Sequence, residues 1–207
     1  MSMVERAYSI ILGRSEEWDV IANERVSAGG IFIGYAMIFA AIPVVIETMI
    51  IAYFGKDFAY SSATSGTLQR VGITPFVLMG ALKYATALLT LLLMCFFVNS
   101  VSAMFNGWSN MVPGTKLMIY ASTPMWVAGP ISMIPYIGPL ITFIAAAYVI
   151  YLINVGLQPV LGVPAEMAKV FTGLFVLIYV GVWFLSKTIY ALVLVMALGL
   201  EITKSLP

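Results

Sequence analysis

The longest uncharged stretch of the chain, from Lys116 to Leu157, limits what the protein can fold into. After Lys116 this stretch carries no charged side chain, and most of its residues are apolar. One helical crossing of a bilayer needs about 20 residues, since the hydrocarbon core is roughly 30 Å thick and a helix rises about 1.5 Å per residue. The stretch is long enough for two crossings, so the sequence predicts two membrane-spanning helices joined by a turn.

The turn between these two helices is predicted at residues 134–139, which contain two prolines and a glycine. Pro135 removes an amide donor and disfavours helical conformation in the residue before it, which ends the first helix. Gly138 can adopt the left-handed conformation that caps a helix, and Pro139 suits the first position of the next helix. We therefore expect a tight helical hairpin.

Composition places the chain among integral membrane proteins of the all-α class. Hydrophobic residues make up 62% of the sequence and charged residues only 9%, against about 25% charged in ordinary soluble domains. The net charge of +1 argues against a nucleic-acid partner, which would need a basic face. The sequence has no histidine, and its single cysteine, Cys95, lies in an apolar run. We therefore expect no catalytic site, no cofactor and no metal centre.

Apolar blocks separated by polar, glycine- and proline-containing segments predict five membrane-spanning helices in one domain. The last block is too long for one perpendicular crossing, and Lys187 interrupts it. Either one strongly tilted helix or a span followed by an interfacial segment would fit that block. A short amphipathic helical segment is predicted at residues 1–27, and the spans are predicted at about 28–54, 74–98, 116–134, 139–157 and 168–200.

The distribution of basic residues predicts the orientation of the chain. Basic residues are enriched on the cytoplasmic side of membrane proteins. With the N-terminus inside, more basic residues lie in the cytoplasm than outside, which favours a cytoplasmic N-terminus and an extracytoplasmic C-terminus. The cytoplasmic set is then Arg6, Arg14, Arg25, Lys116 and Lys169, and the outer set is Lys56, Arg70 and Lys204.

Residues 15–23 are predicted to form a short helix before the first span. Glu16 and Glu17 lie in its first turn, where the helix dipole favours acidic side chains. Trp18 and Ile21 share one face at helical spacing. Two interpretations fit this face. Trp18 is an interfacial anchor at the depth of the lipid headgroups, or the helix packs on the protein itself.

Three ionisable side chains, Glu47, Lys83 and Lys187, lie within the apolar blocks. Each costs about 2.5–3.5 kcal/mol to insert and normally faces a partner or a cavity. Glu47 lies about 10 Å and Lys83 about 14 Å inside the outer end of its span. We therefore predict an intramembrane ion pair between these two residues, with Lys187 as the alternative partner of Glu47. Such a pair either sets the register of two helices or belongs to a transport site.

Polar and aromatic side chains of the hairpin form a second candidate site. Pro124 predicts a kink in the first hairpin helix, because proline frees a backbone carbonyl. Tyr120 lies before this kink, and Tyr148, Tyr151 and Asn154 lie on the second helix. These residues either line a groove for a lipid, a small molecule or a protein partner, or they form hydrogen bonds between helices.

Several motifs of the chain resemble those of one known family. They are Lys-Leu-x-x-Tyr-Ala-Ser-x-Pro at 116–124, Ile-Pro-Tyr-Ile-Gly at 134–138, and Tyr-x-x-Tyr-Leu-x-x-x-Gly-Leu at 148–157. Met-Val-Glu-Arg-Ala at 3–7 and Ser-Glu-Glu-Trp at 15–18 precede them. In order and spacing these motifs resemble the Yip family, multi-spanning membrane proteins named for their interaction with Ypt/Rab GTPases. The N-terminal motifs resemble its short prokaryotic branch.

This resemblance implies a non-enzymatic protein of the prokaryotic inner membrane, with the N-terminus inside, that organises the membrane or recruits partners. The expected partners are membrane lipids, another membrane protein or a second copy of the chain. The sequence lacks the longer cytosolic region and the Asp-Leu-Tyr-Gly-Pro motif of the eukaryotic relatives, which argues against a GTPase partner. The alternative is a small transporter or channel that uses Glu47 and Lys83, although the chain lacks the inverted repeat of many transporters.

Overall fold

The computed structural model describes residues 2–54, 73–108 and 110–204, and every regular element in these ranges is helical. Lys56 and Arg70, which the orientation prediction used, lie outside the described residues. The elements are α1 (Met3–Ile11), α2 (Ser15–Asn23), α3 (Ala28–Ile31), a π-helical turn (Phe32–Ala36), α4 (Met37–Phe54), α5 (Ile73–Met104), α6 (Met111–Ala121), α7 (Thr123–Ala128), a 3₁₀ turn (Ile131–Met133), α8 (Ile137–Leu161) and α9 (Ala165–Lys204).

Among the described residues, four helices are long and apolar enough to cross a membrane. The prediction of an all-α membrane protein is therefore confirmed. The four helices overlap the predicted first, second, fourth and fifth spans, with ends that differ by a few residues. Their apolar parts are Ala28–Ile51, Phe76–Met104, Ile137–Leu161 and Ala165–Met196.

The predicted span at 116–134 is not one continuous helix. The chain forms α6, α7 and the 3₁₀ turn in succession, because Pro124 lies in the first turn of α7 and cannot continue the hydrogen bonds of α6. The predicted kink at Pro124 is confirmed. Residues 114–121 are all buried by neighbouring helices. An interrupted helix is tolerated at membrane depth when protein surrounds it, which is the situation of this segment.

The hairpin turn occurs where it was predicted but has a different geometry. Tyr136 has a φ of 67°, and the Ile137 amide donates to the Pro135 carbonyl at 2.8 Å. This three-residue arrangement is a γ-turn, a conformation that is rare for a residue other than glycine. The prediction that Gly138 takes the left-handed conformation was wrong. Gly138 is needed for space instead, since a Cβ there would overlap the backbone carbonyl of Ser132.

The last apolar block forms a single helix, α9, without a break at Lys187. This continuity is compatible with both arrangements that the sequence left open for this block. A helix of 40 residues is about 60 Å long, twice the thickness of the hydrocarbon core. Membrane helices tilt by at most about 40°, so a helix of this length extends beyond the hydrocarbon core.

The two N-terminal helices pack on the bundle, and this corrects the expectation for Trp18. The helix predicted at residues 15–23 is present as α2, but Trp18 is only 1% exposed. Its ring lies against Gly156 of α8, and the Tyr148 hydroxyl donates to the Ile11 carbonyl of α1 at 2.8 Å. Trp18 is therefore not an anchor at headgroup depth. Its indole fills the space that a residue without a side chain leaves on α8.

Adding one methyl group at Gly156 should loosen this packing. A Cβ at Gly156 would lie 2.9 Å from the Trp18 ring and still nearer to the Leu117 side chain. We expect Gly156→Ala to lower the free energy of unfolding by about 1–3 kcal/mol, which is typical of overpacking. Thermal unfolding in detergent measures this loss, and the fluorescence of Trp18 should change with it.

Gly173 of α9 provides the matched control, because a Cβ there meets no atom within 4 Å. Gly173→Ala should raise stability by about 0.5–1 kcal/mol, the usual gain of alanine over glycine in a helix. Equal effects of the two substitutions would contradict the close contact between Trp18 and Gly156.

Candidate functional site

Glu47 of α4 and Lys83 of α5 meet in the structure. The Lys83 ammonium contacts the Glu47 carboxylate in a salt bridge. The two helices approach closely at Gly80, one turn before Lys83, where a Cβ would overlap the Thr48 side chain. The absence of a side chain at Gly80 therefore lets the antiparallel helices bring the acid and the base together.

This ion pair lines a cavity of about 460 Å³ between α4, α5, α6 and α9. Polar and charged side chains form part of its wall, and aliphatic, methionine and aromatic residues form the rest. The polar residues that line it include Glu47, Lys83, Thr86, Thr90, Ser122, Ser186 and Lys187. The same ion pair also borders a smaller cavity of about 120 Å³ between α4 and α5.

Lys187 brings a second ammonium group to this cavity. Its Nζ lies 5.9 Å from the centre of the Trp183 ring, one turn away on α9, in a cation–π contact. Lys187 makes no salt bridge with any residue that the structure describes, because Lys83 takes the carboxylate of Glu47. Next to it, the Ser186 and Thr90 hydroxyls are 2.7 Å apart and join α9 to α5. The described lining therefore carries two ammonium groups and one carboxylate.

The five residues of the predicted groove lie in different surroundings. The Tyr120 ring packs under the Arg6 guanidinium at 5.6 Å, whereas Tyr148 stacks on Tyr151 at 5.6 Å. Asn154 donates to the Thr172 hydroxyl of α9 at 2.9 Å. Pro124, the remaining member, is buried within the first turn of α7. These contacts do not form one groove, and they favour the alternative of hydrogen bonds and packing between helices.

A buried ionic network at the N-terminal helices was not predicted. The Arg6 guanidinium donates to Glu17 at 2.6 Å and to Glu24 at 3.2 Å, and Arg6 is 7% exposed. The Lys116 ammonium donates to the backbone carbonyls of Ile21 at 2.7 Å, Ala22 at 3.1 Å and Glu24 at 2.6 Å. Lys116 therefore binds carbonyls at and just beyond the C-terminal end of α2, where a positive charge is most favourable.

The sequence predicts cytoplasmic positions for Arg6 and Lys116 but no contact between their surroundings. The network joins residues from α1, α2 and α6, and no periodic spacing relates them. The one sequence feature that could have indicated it is the position of Lys116 at the start of the long uncharged stretch. A lysine that must be buried there needs several oxygen acceptors nearby.

The pair of Glu47 and Lys83 can be tested with a double-mutant cycle. We expect Glu47→Gln and Lys83→Met each to lower the free energy of unfolding in detergent by about 1.5–3 kcal/mol, because each leaves a charged partner unpaired. The double variant should recover much of the loss, since neither charge remains. Additive losses in the double variant would show that the two residues are not energetically coupled.

Comparison with known proteins gives one result. A family model described as the Yip1 domain matches residues 8–187, from α1 to Lys187 in α9. Neither a curated protein nor a solved structure matches the chain. The family match covers well over half of the chain and agrees with the resemblance found in its motifs. The chain therefore belongs to the Yip1 domain family of membrane proteins.

Proposed function

We propose that this protein is a non-enzymatic integral membrane protein that organises the bilayer or recruits partners to it. The match to the Yip1 domain and the four long apolar helices support this proposal. Its partners are membrane lipids, another membrane protein or a second copy of the chain. The family match does not favour the alternative of a small transporter that uses Glu47 and Lys83.

The observation that carries the proposal is the orientation of α1. This helix buries its charged Arg6 together with Ala7 and Ile10, and it exposes three of its other apolar side chains beside Glu5. A short helix with an apolar outer face is suited to lie in the interface of a bilayer, with that face among the acyl chains. The exposed apolar residues at this end of the chain are Met3 (46%), Val4 (74%), Tyr8 (61%) and Leu12 (50%).

The buried ionic network makes α1 a rigid part of the protein. Arg6 joins α1 to α2, and Lys116 joins α2 to the bundle. The apolar face of α1 is therefore held at one level relative to the membrane-spanning helices. A rigid helix inserted into one leaflet adds area to that leaflet alone, which favours curvature and alters lipid packing. In this proposal α1 takes the interfacial role that the sequence had suggested for Trp18.

The proposed topology has five spans, with α6 and α7 together forming the third. These two helices and the 3₁₀ turn run from Met111 to Met133, and this is enough residues for one crossing. The N-terminus then lies in the cytoplasm and the C-terminus outside, in a prokaryotic inner membrane. The hairpin turn at Tyr136 lies outside as well.

The topology can be tested by labelling from one side of the membrane. Tyr136 is 97% exposed, and the native Cys95 is buried, so Tyr136→Cys in a Cys95→Ala background gives a single accessible thiol. An impermeant maleimide should label this thiol in intact cells, whereas Glu16→Cys should react only after lysis. Protection of Tyr136→Cys until lysis would mean that the segment from α6 to the 3₁₀ turn does not cross the membrane.

The interfacial position of α1 can be tested with spin labels in liposomes. Labels at Val4→Cys and Tyr8→Cys should collide with oxygen dissolved in the lipid, because both side chains point away from the protein. A label at Glu16→Cys on α2 should collide with a water-soluble relaxation agent instead. Water exposure at all three positions would contradict the proposed role of α1.

We expect the exposed apolar side chains of α1 to be required for any effect of the protein on membrane shape. The parent protein should reduce the mean diameter of reconstituted liposomes measured by electron microscopy, and the double variant Val4→Asn/Tyr8→Asn should not. If the parent leaves the diameter unchanged although α1 is inserted, recruitment of a partner remains as the proposed function.

A further inference from the structure

We propose that the cavity between α4, α5, α6 and α9 binds the phosphate group of an anionic membrane lipid, with Lys187 as the cation that receives it. This site goes beyond the role of α1, and it lies in a different part of the bundle. It does not depend on whether the protein changes membrane shape.

The charges of the cavity indicate what it binds. The salt bridge between Glu47 and Lys83 neutralises both partners, so the ammonium of Lys187 is an excess positive charge among the described lining residues. Its contact with the Trp183 ring is a weaker interaction than a salt bridge. This charge attracts an anion into the cavity and repels a second cation.

The polar side chains beside Lys187 suit a phosphate group. Ser186 and Thr90 carry hydroxyls into the same cavity and contact each other at 2.7 Å. The Thr90 hydroxyl donates to the Thr86 carbonyl at 2.7 Å, so the Ser186 hydroxyl is the one that can rotate to donate to a phosphate oxygen. The Lys187 ammonium has three protons to donate. Hydrogen bonds between charged partners are about twice as strong as those between neutral groups. The cavity of about 460 Å³ has room for a phosphate together with the glycerol to which it is attached.

A neighbouring cavity can hold the acyl chain of a lipid, which favours a lipid over free phosphate as the ligand. A second cavity of about 500 Å³ lies between α8 and α9 and shares Met125, Tyr179 and Trp183 with the first. Its outer wall includes Phe143, which is 72% exposed on the surface that faces the bilayer. A ligand with a charged head and an apolar tail can therefore occupy both spaces, with the head at Lys187 and a chain along Trp183 and Phe143.

The proposal can be tested by binding of phosphatidylglycerol, with phosphatidylcholine as the zwitterionic comparison. Native mass spectrometry and thermal unfolding in detergent measure binding as each lipid is added. For the parent protein we expect preferential binding and stabilisation by phosphatidylglycerol. Lys187→Gln should weaken that binding about tenfold, equal to about 1.4 kcal/mol, while Lys187→Arg should retain it.

Lys169→Gln is the matched control, because Lys169 lies on the same helix, is exposed and does not line the cavity. It should bind phosphatidylglycerol as the parent does. Without added lipid, Lys187→Gln should be at least as stable as the parent, since it removes an unpaired charge. If Lys187→Gln does not fold, Ala87→Phe tests the same site, because it fills the cavity and leaves every charge in place.

Three results would overturn the proposal. The first is equal binding of the two lipids by the parent, and the second is an equal loss of binding in Lys187→Gln and Lys169→Gln. The third is stabilisation by inorganic phosphate to the same extent as by phosphatidylglycerol, which would mean that the cavity takes a soluble anion. The shape of liposomes is not a readout of these experiments, so their failure is distinct from a failure of the proposed function.

Discussion

The three hydrogen bonds from the Lys116 ammonium to the end of α2 fix the N-terminal helices on the bundle. Lys116 belongs to α6, which packs against α5 and α8 in the centre of the bundle. Its acceptors are the last carbonyls of a helix outside the bundle. Because a buried ammonium without acceptors is strongly unfavourable, α2 cannot leave α6 without a large loss of free energy. The position of α1, and with it the exposed apolar face, depends on this contact through Arg6.

The charged side chains at the two ends of the bundle have different roles. Those near the N-terminal helices stabilise the fold, and those in the cavity are available for a ligand in our proposal. Near the N-terminal helices, Arg6 is paired with two acids and Lys116 with three carbonyls. These contacts join α1, α2 and α6 and hold the helices in place. In the cavity near the other end, Glu47 forms a salt bridge with Lys83, and Lys187 forms none with the residues that the structure describes. The ammonium of Lys187 is therefore the group to which the proposed anionic ligand would bind.

The break between α6 and α7 lies between the N-terminal ionic network and the cavity, and it contacts both. Pro124 ends the hydrogen bonding of α6, and the chain continues in α7 after Ser122. Ser122 itself lines the cavity of the ion pair, and the next residue, Thr123, bonds to the Tyr35 hydroxyl at 2.9 Å. Tyr35 lies in the π-helical turn of the first span, and its ring contacts Tyr120. Irregular backbone in two neighbouring helices therefore occurs at one level, where it is surrounded by protein as lipid requires.

The sequence by itself determined which segments are helical, where the hairpin turns, where α6 ends and that Glu47 and Lys83 occupy matching positions along their helices. These features follow from block length, proline position and rise per residue, all of which are local. Only the tertiary structure decided that Trp18 is buried, that Tyr136 rather than Gly138 has a positive φ, and that the five groove residues face different neighbours. The physical reason is that a membrane helix with apolar residues on every side gives no indication of which side faces protein. Close approach at Gly80 and Gly156, and the acceptors around Lys116, set the rotation and pairing of the helices, and both arise only when distant parts of the chain meet.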